Sequence, residues 1–331
     1  MSDLRRVDAV VADVGGTNAR FAWCSTRAEV KLNDVRSYAC ADFDGMAEAF
    51  EAYCAELSIS TDRLSAALAC PCEHDRIALT NNHWAFGRAE LLQRLQLREL
   101  RTINDFTAQA LAVPLLPEGQ KHVLHAGQSV RAPILVVGPG TGLGVGALVP
   151  AADDWVPVVT EGGHVTASAV DPRDAAVLEQ LCKRFGHVSA ERLISGPGLV
   201  NGYLAEAAVR GELAEDLDAA QITQRALEGD ALCKAVLDRF CRVFGGVVGD
   251  AAMSLGARGG IAIAGGIVPR ILDFIQDSEF LSRLHHKGRF SGYMRNIQVT
   301  VMVSGDPGLL GSAAALNNAH LQDMGYVSAA V

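Results

Sequence analysis

Asp13 closes an apolar run and leads into Val14-Gly15-Gly16-Thr17-Asn18, while Gly138-Pro139-Gly140-Thr141-Gly142-Leu143-Gly144 follows a second such run. Between them, Ile103-Asn104-Asp105 ends a short apolar stretch. Glycine lets the backbone come close to phosphate oxygens, and successive N–H groups then form a concavity that binds anions. The hydroxyls of Thr17 and Thr141 add donors without adding charge. Two such turns, each beside a strand-like run, point to phosphoryl transfer from a nucleotide clasped between two domains.

Asp13 has two readings. It is either a carboxylate that caps the turn or, since a carboxylate beside phosphates needs a cation between them, a Mg²⁺ ligand acting through water. Asp105 is either a helix N-cap, for which Asp and Asn are both favoured, or a general base that accepts the proton of an attacking hydroxyl. Glu161, His164 and Glu191 are weak signals singly. With Asn104 and Asp105 they make a set of planar hydrogen-bonding groups suited to the hydroxyls of a sugar. The P-loop pattern is absent from the chain. Gly142-Leu143-Gly144-Val145-Gly146-Ala147 fits a loose dinucleotide fingerprint, but Leu148-Val149-Pro150 follows as strand and turn where that motif needs a helix.

The elements that must position these residues follow from periodicity and turn signals. Residues 7–14 and 19–24 form a hairpin with Gly15-Gly16-Thr17 at its tip. Strands are expected over 64–70, 100–103, 134–137, 145–149, 155–160, 259–264 and 297–303, and helices over 43–57, 89–97, 106–113, 174–185, 197–209, 222–228, 231–255, 269–275 and 307–317. The strand–glycine turn–strand arrangement occurs twice, a weak duplication of supersecondary structure. Pro114 and Pro117 mark a domain boundary over 114–120. The expected division is 1–115 plus 306–331 as a small α/β domain and 116–305 as a large one.

A chain of 331 residues with 49% hydrophobic content buries a large core and divides into two domains. Its formal net charge of −9, without a run of basic residues, argues against a nucleic-acid or anionic-membrane partner. The polar N-terminus and strand-length apolar runs predict a soluble, cytoplasmic protein. Of eight cysteines, only Cys70 and Cys72 are closely spaced. A zinc site would need two further ligands at matching spacing, so the pair is expected to be a strand end followed by a loop.

Taken in order, Asp13-Val14-Gly15-Gly16-Thr17-Asn18-Ala19-Arg20, Ile103-Asn104-Asp105-Phe106-Thr107-Ala108, Gly140-Thr141-Gly142-Leu143-Gly144, Glu161-Gly162-Gly163-His164-Val165, Glu191-Arg192-Leu193-Ile194-Ser195-Gly196-Pro197-Gly198-Leu199 and Ala264-Gly265-Gly266-Ile267 resemble the bacterial glucokinase family. These motifs run over essentially the whole chain. The resemblance implies an α/β fold of two ribonuclease-H-like, actin-like ATPase domains flanking a cleft, the larger with added helices. It implies ATP-dependent phosphorylation of glucose at the 6-hydroxyl, with ATP and Mg²⁺ required. Asp105 is then the catalytic base, and Asn104, Asp105, Gly142, Glu161, His164 and Glu191 line the sugar. Ala12, Asp13, Val14, Gly15, Gly16 and Thr17 hold ATP phosphates, flanked by Gly140 and Thr141, and Gly265 and Gly266 lie under the adenosine. Ala12 stands where many relatives have Gly, and the Cys-rich zinc motif of the repressor-and-kinase branch is missing.

Three rivals remain on the sequence. A kinase for another hexose or an amino sugar would differ in what meets the 2-position. A sugar-responsive regulator would need a basic helix-turn-helix, and a chaperone-like ATPase would need a long additional domain. The oligomeric state, a homodimer included, is left open.

Overall fold

In the computed structural model, which describes residues 4–25, 30–128, 130–169, 171–303, 305–323 and 327–329, the chain builds two six-stranded sheets. Strands β1 (Ala9–Val14), β2 (Asn18–Ser25), β3 (Lys31–Ala39), β4 (Arg63–Leu68) and β5 (Glu99–Asn104) come first. They are followed by β6 (Lys121–His125), β7 (Ile134–Pro139), β8 (Leu143–Ala151), β9 (Asp154–Val159), β10 (Gly260–Ile263), β11 (Val299–Met302) and β12 (Val327–Ala329). The helices that matter here are α1 (Met46–Leu57), α2 (Asp105–Ala112), α3 (Pro172–Phe185), α4 (Gly196–Arg210), α5 (Ala231–Leu255) and α6 (Pro307–Ala315).

The first sheet runs β12-β5-β4-β1-β2-β3 and the second β6-β11-β10-β7-β8-β9. Each has an opening strand (β1, β7) with the next two strands outward on one side and two later parallel strands on the other. An antiparallel edge strand closes each row. The duplication expected from the two glycine turns is therefore a repeat of topology. Two ribonuclease-H-like sheets of this order form the α/β fold of the actin-like ATPases.

The central strands are apolar because they are covered on both faces. In β1, five of six residues are buried, and Ala9 and Val11 pack with Ala22 and Cys24 against Leu309, Ala313 and Leu316. Around the second sheet, Leu135, Val137, Ile261, Ile263, Val299 and Val301 join Val177, Leu199, Tyr203, Phe240 and Phe244 in one core. Most expected elements fall within a few residues of the observed ones. The edge strands β3, β6 and β12 were not expected. β3 has no buried residue and alternates only partly exposed with exposed positions, which leaves no apolar period to recognise.

Two compact units result, Met1–Glu118 with Ala147–Val159 and Ser304–Val331, and Gly119–Gly146 with Thr160–Val303. The segment Ala147–Val159 was expected in the larger domain. It groups with the first unit, where Asn318 Nδ2 donates to the Trp155 carbonyl at 2.7 Å. A contact between residues so distant in sequence has no local signature.

Candidate active site

In the first unit the hairpin tip is closed by Gly15 N–H, which donates to Asn18 O at 2.9 Å. Cys40 N–H donates to Thr17 O at 2.8 Å, and Asn82 Nδ2 to Gly15 O at 3.4 Å. Gly16 lies against Asn81, whose Cβ and O would each be 3.0 Å from a Cβ at position 16. The tip is thus held from behind while Thr17 and Asn18 face solvent. Asn81 and Asn82 were not singled out from the sequence. An Asn-Asn pair between short strands was the available signal.

Asp13, the penultimate residue of β1, has its carboxylate against the start of α6, where a Cβ at Gly308 would come within 2.5 Å of its Cγ. Burial first, then the charge of Asp105 and further that of Asp306, hold the Asp13 pKa up at about 6, with Arg20 pulling it down. Arg20 Nη1 donates to Gly305 O at 3.0 Å and lies 3.5 Å from Asp306 Oδ1. Arg20 and Asp306 were likewise not assigned a role from the sequence. Three carboxylates with one guanidinium leave a surplus of negative charge that a divalent cation would neutralise; no three such side chains among the described residues are grouped to ligate a metal directly, so the residues present fit Mg²⁺ held through water.

Asn104 and Asp105 divide the tasks at the junction of β5 and α2. Asn104 is the N-cap, its Oδ1 accepting from Phe106 N at 2.9 Å, and its Nδ2 donates to the Cys70 carbonyl at 3.4 Å. Asp105 is the first helical residue, and its Oδ1 also lies 2.9 Å from Phe106 N. The capping role considered for Asp105 thus belongs to Asn104.

In the second unit, Gly140 N–H donates to Gly142 O, and Gly196 N–H at the start of α4 donates to Gly140 O, both at 2.8 Å. Gly138 packs backbone to backbone on the other glycine pair, since a Cβ there would lie 2.6 Å from Ala264 C and 2.8 Å from Gly265 N. Gly265 has φ +78°, a conformation that favours glycine, and side-chain atoms there would strike the Pro139 carbonyl. Gly140, Thr141 and Gly266 open onto one cavity of about 820 Å³, whose walls include Thr223, Gln224 and Arg270.

The same unit collects Glu161, His164 and Glu191. Glu191 Oε2 accepts from Leu143 N at 2.9 Å, a bond that Gly142 permits, because a Cβ there would lie 2.5 Å from that oxygen. Ser195, the N-cap of α4, donates to Glu191 O at 2.8 Å. His164 Nδ1 is 3.9 Å from Glu191 Oε1, and its Nε2 is 3.8 Å from Glu161 Oε2. These gaps exceed a hydrogen bond, so an imidazole stands between two carboxylates with room for ligand hydroxyls to bridge them. Of the residues selected from the sequence, Ala12, Asp13, Val14, Gly15, Gly16, Thr17, Asn104 and Asp105 lie in the first unit. Gly140, Thr141, Gly142, Glu161, His164, Glu191, Gly265 and Gly266 lie in the second.

A sequence model of the family described as Glucokinase matches residues 10–319. The glucokinase of Salmonella heidelberg is 41% identical over 321 residues, 96% of this chain and 98% of that protein. Among solved structures, glucokinase from an Antarctic psychrotroph superposes with a TM-score of 0.87 at 39% identity, over 93% of this chain and 98% of that one. Glucokinase from Balamuthia mandrillaris, solved in complex with glucose, has a TM-score of 0.72 at 20% identity over 93% and 92% of the two chains, a likeness in fold alone.

Proposed function

The chain belongs to the glucokinase family, and from that premise we propose how its own residues divide the work of ATP-dependent phosphorylation of D-glucose at the 6-hydroxyl. Asp105 is the general base. Its carboxylate takes the proton of the 6-hydroxyl as that oxygen attacks the γ-phosphorus of ATP, and ADP leaves. What supports this is the arrangement at α2, where Asn104 is the N-cap and Asp105 stands at the first helical residue, close enough to Asp13 for its charge to raise that carboxyl's pKa.

Asn104, Glu161, His164 and Glu191 bind the sugar hydroxyls, with Gly142 giving Glu191 its place. The hairpin residues Ala12–Thr17 hold phosphate oxygens through backbone N–H groups and the Thr17 hydroxyl. Gly140 and Thr141 flank the phosphates, and Gly265 and Gly266 border the adenosine, Gly266 from the wall of the cavity it shares with Thr223, Gln224 and Arg270. Asp13 would hold Mg²⁺ through water, and the ion when bound would neutralise charge on the phosphates. The two compact units are the two domains of the enzyme, which acts in the cytoplasm at the entry to glycolysis.

The decisive experiment replaces Asp105 with Asn. The amide keeps the size and a hydrogen-bonding oxygen but cannot accept the proton, so glucose 6-phosphate formation falls by about 10²–10⁴-fold. Glucose affinity by calorimetry and the thermal midpoint change little. Near-normal turnover overturns the base assignment, and loss of activity through unfolding makes Asp105 a structural residue.

A further inference from the structure

Cys70 and Cys72 flank the exposed Pro71 in the turn that leaves β4. Both side chains are buried, two residues apart on the same turn. The Cys70 carbonyl accepts from Cys72 Sγ at 3.5 Å and from Asn104 Nδ2 at 3.4 Å. One backbone oxygen therefore ties the thiol pair to the amide that caps α2 beside Asp105. The other six cysteines have no neighbour in sequence that close. Among the described residues, no group of three or more His, Cys, Asp or Glu side chains could hold a metal ion, so the pair is not part of such a centre.

We propose that Cys70 and Cys72 form a modification site, an oxidisable dithiol that a hydroperoxide converts to a disulfide, and that this bond silences the kinase by drawing the Cys70 carbonyl away from Asn104. The Cys70 thiolate attacks the peroxide and breaks its O–O bond. This gives a sulfenic acid at Cys70, and the other oxygen leaves with a proton as an alcohol or water. Cys72 sulfur then attacks the sulfenic sulfur, and the expelled hydroxyl leaves as water with the Cys72 proton. Two electrons pass from the sulfurs to the peroxide, and a dithiol reductant returns them. Cys70 is the attacking sulfur because the neighbouring Cys72 holds its pKa down, while that of Cys72 is raised by the same pairing and by burial. Formation of the disulfide removes the Cys72 donor from the Cys70 carbonyl and pulls on the turn that carries it. The inference rests on the placement of Asn104 and Asp105 at the sugar.

The test treats the full-length protein with hydrogen peroxide, quenches with catalase, and follows turnover, glucose KM and the peptide map of residues 70–72. Activity is expected to fall in step with appearance of the Cys70–Cys72 disulfide, and dithiothreitol restores both. Cys72→Ser keeps a hydroxyl donor for the Cys70 carbonyl, so it has wild-type basal activity and shows no dithiothreitol-reversible loss. A complete Cys70–Cys72 disulfide with unchanged turnover overturns the proposal. So does its absence at doses that oxidise the exposed Cys182. Asn104→Ala separates the two readings: an unchanged glucose KM there removes Asn104 from the sugar site, whereas the peptide map judges the dithiol by itself.

Discussion

Gly308 and Asp13 touch where no side chain could come between them, because a Cβ at 308 would lie 2.5 Å from the Asp13 Cγ and 2.6 Å from its Oδ2. Gly308→Ala should therefore displace the Asp13 carboxylate. Overpacking of this kind costs about 1–3 kcal/mol, read as a lower midpoint in denaturant. Affinity for Mg²⁺–nucleotide falls with it and glucose affinity does not. The stability loss should disappear in Asp13→Ala/Gly308→Ala, where the clash has no partner. Persistence of the loss in the double variant would mean that the contact is not its source.

Asp13 also sets a pH dependence. Its pKa is 3.8 in an ordinary setting and about 6 in the fold, so the folded state holds the proton more tightly than the unfolded chain. The stability this proton contributes is fully present below about pH 4 and is lost as pH rises through about 6. At about 1.36 kcal/mol per unit, ionised Asp13 costs on the order of 3 kcal/mol at neutral pH. Asp13→Asn should be more stable than the parent at pH 8, with the difference shrinking to nothing near pH 4. Parallel denaturant titrations across that range check this, and a gain independent of pH would contradict it.

Glu191 and Gly142 should behave as one unit. Glu191→Ala removes a charged acceptor, a loss of about 1.5–3 kcal/mol in glucose binding. Gly142→Ala pushes the same carboxylate off Leu143 N–H and should weaken glucose in the same direction. In the double variant the two losses should not add. Calorimetry with glucose on all three variants measures the coupling, and simple additivity would separate Gly142 from the placement of Glu191.

Neighbouring glycines in α5 should respond with opposite signs. A side chain at Gly245 would strike the Phe280 carbonyl of the helix Phe280–His285, whereas at Gly246 it meets nothing within 4 Å. Gly245→Ala is expected to destabilise by about 1–3 kcal/mol or more. Gly246→Ala should be neutral or stabilise by up to about 1 kcal/mol, the difference in helix propensity between the two residues. Chemical denaturation of the two variants provides the comparison.

The sequence by itself determined the two sheets' central strands, the long helices and the family motifs from which the proposed site is drawn. Buried parallel strands are uniformly apolar, and α5 carries its caps, Asp230 before it and Gly256 after it, in the local sequence. The glycine turns are legible because close backbone approach demands glycine at fixed local spacing, whereas the position of Asp105 by itself fitted a helix cap and a general base alike. Tertiary structure alone decided which of two adjacent polar residues caps α2, since Asn and Asp serve equally well in isolation. It alone brought Asp306 and Gly308 to Asp13 across nearly three hundred residues, set Asn81 and Asn82 behind the hairpin tip, and joined Ala147–Val159 to Asn318. These pairings depend on burial and on long-range charge. Neither leaves a period or a spacing in the chain, so they become visible only when the strands are side by side.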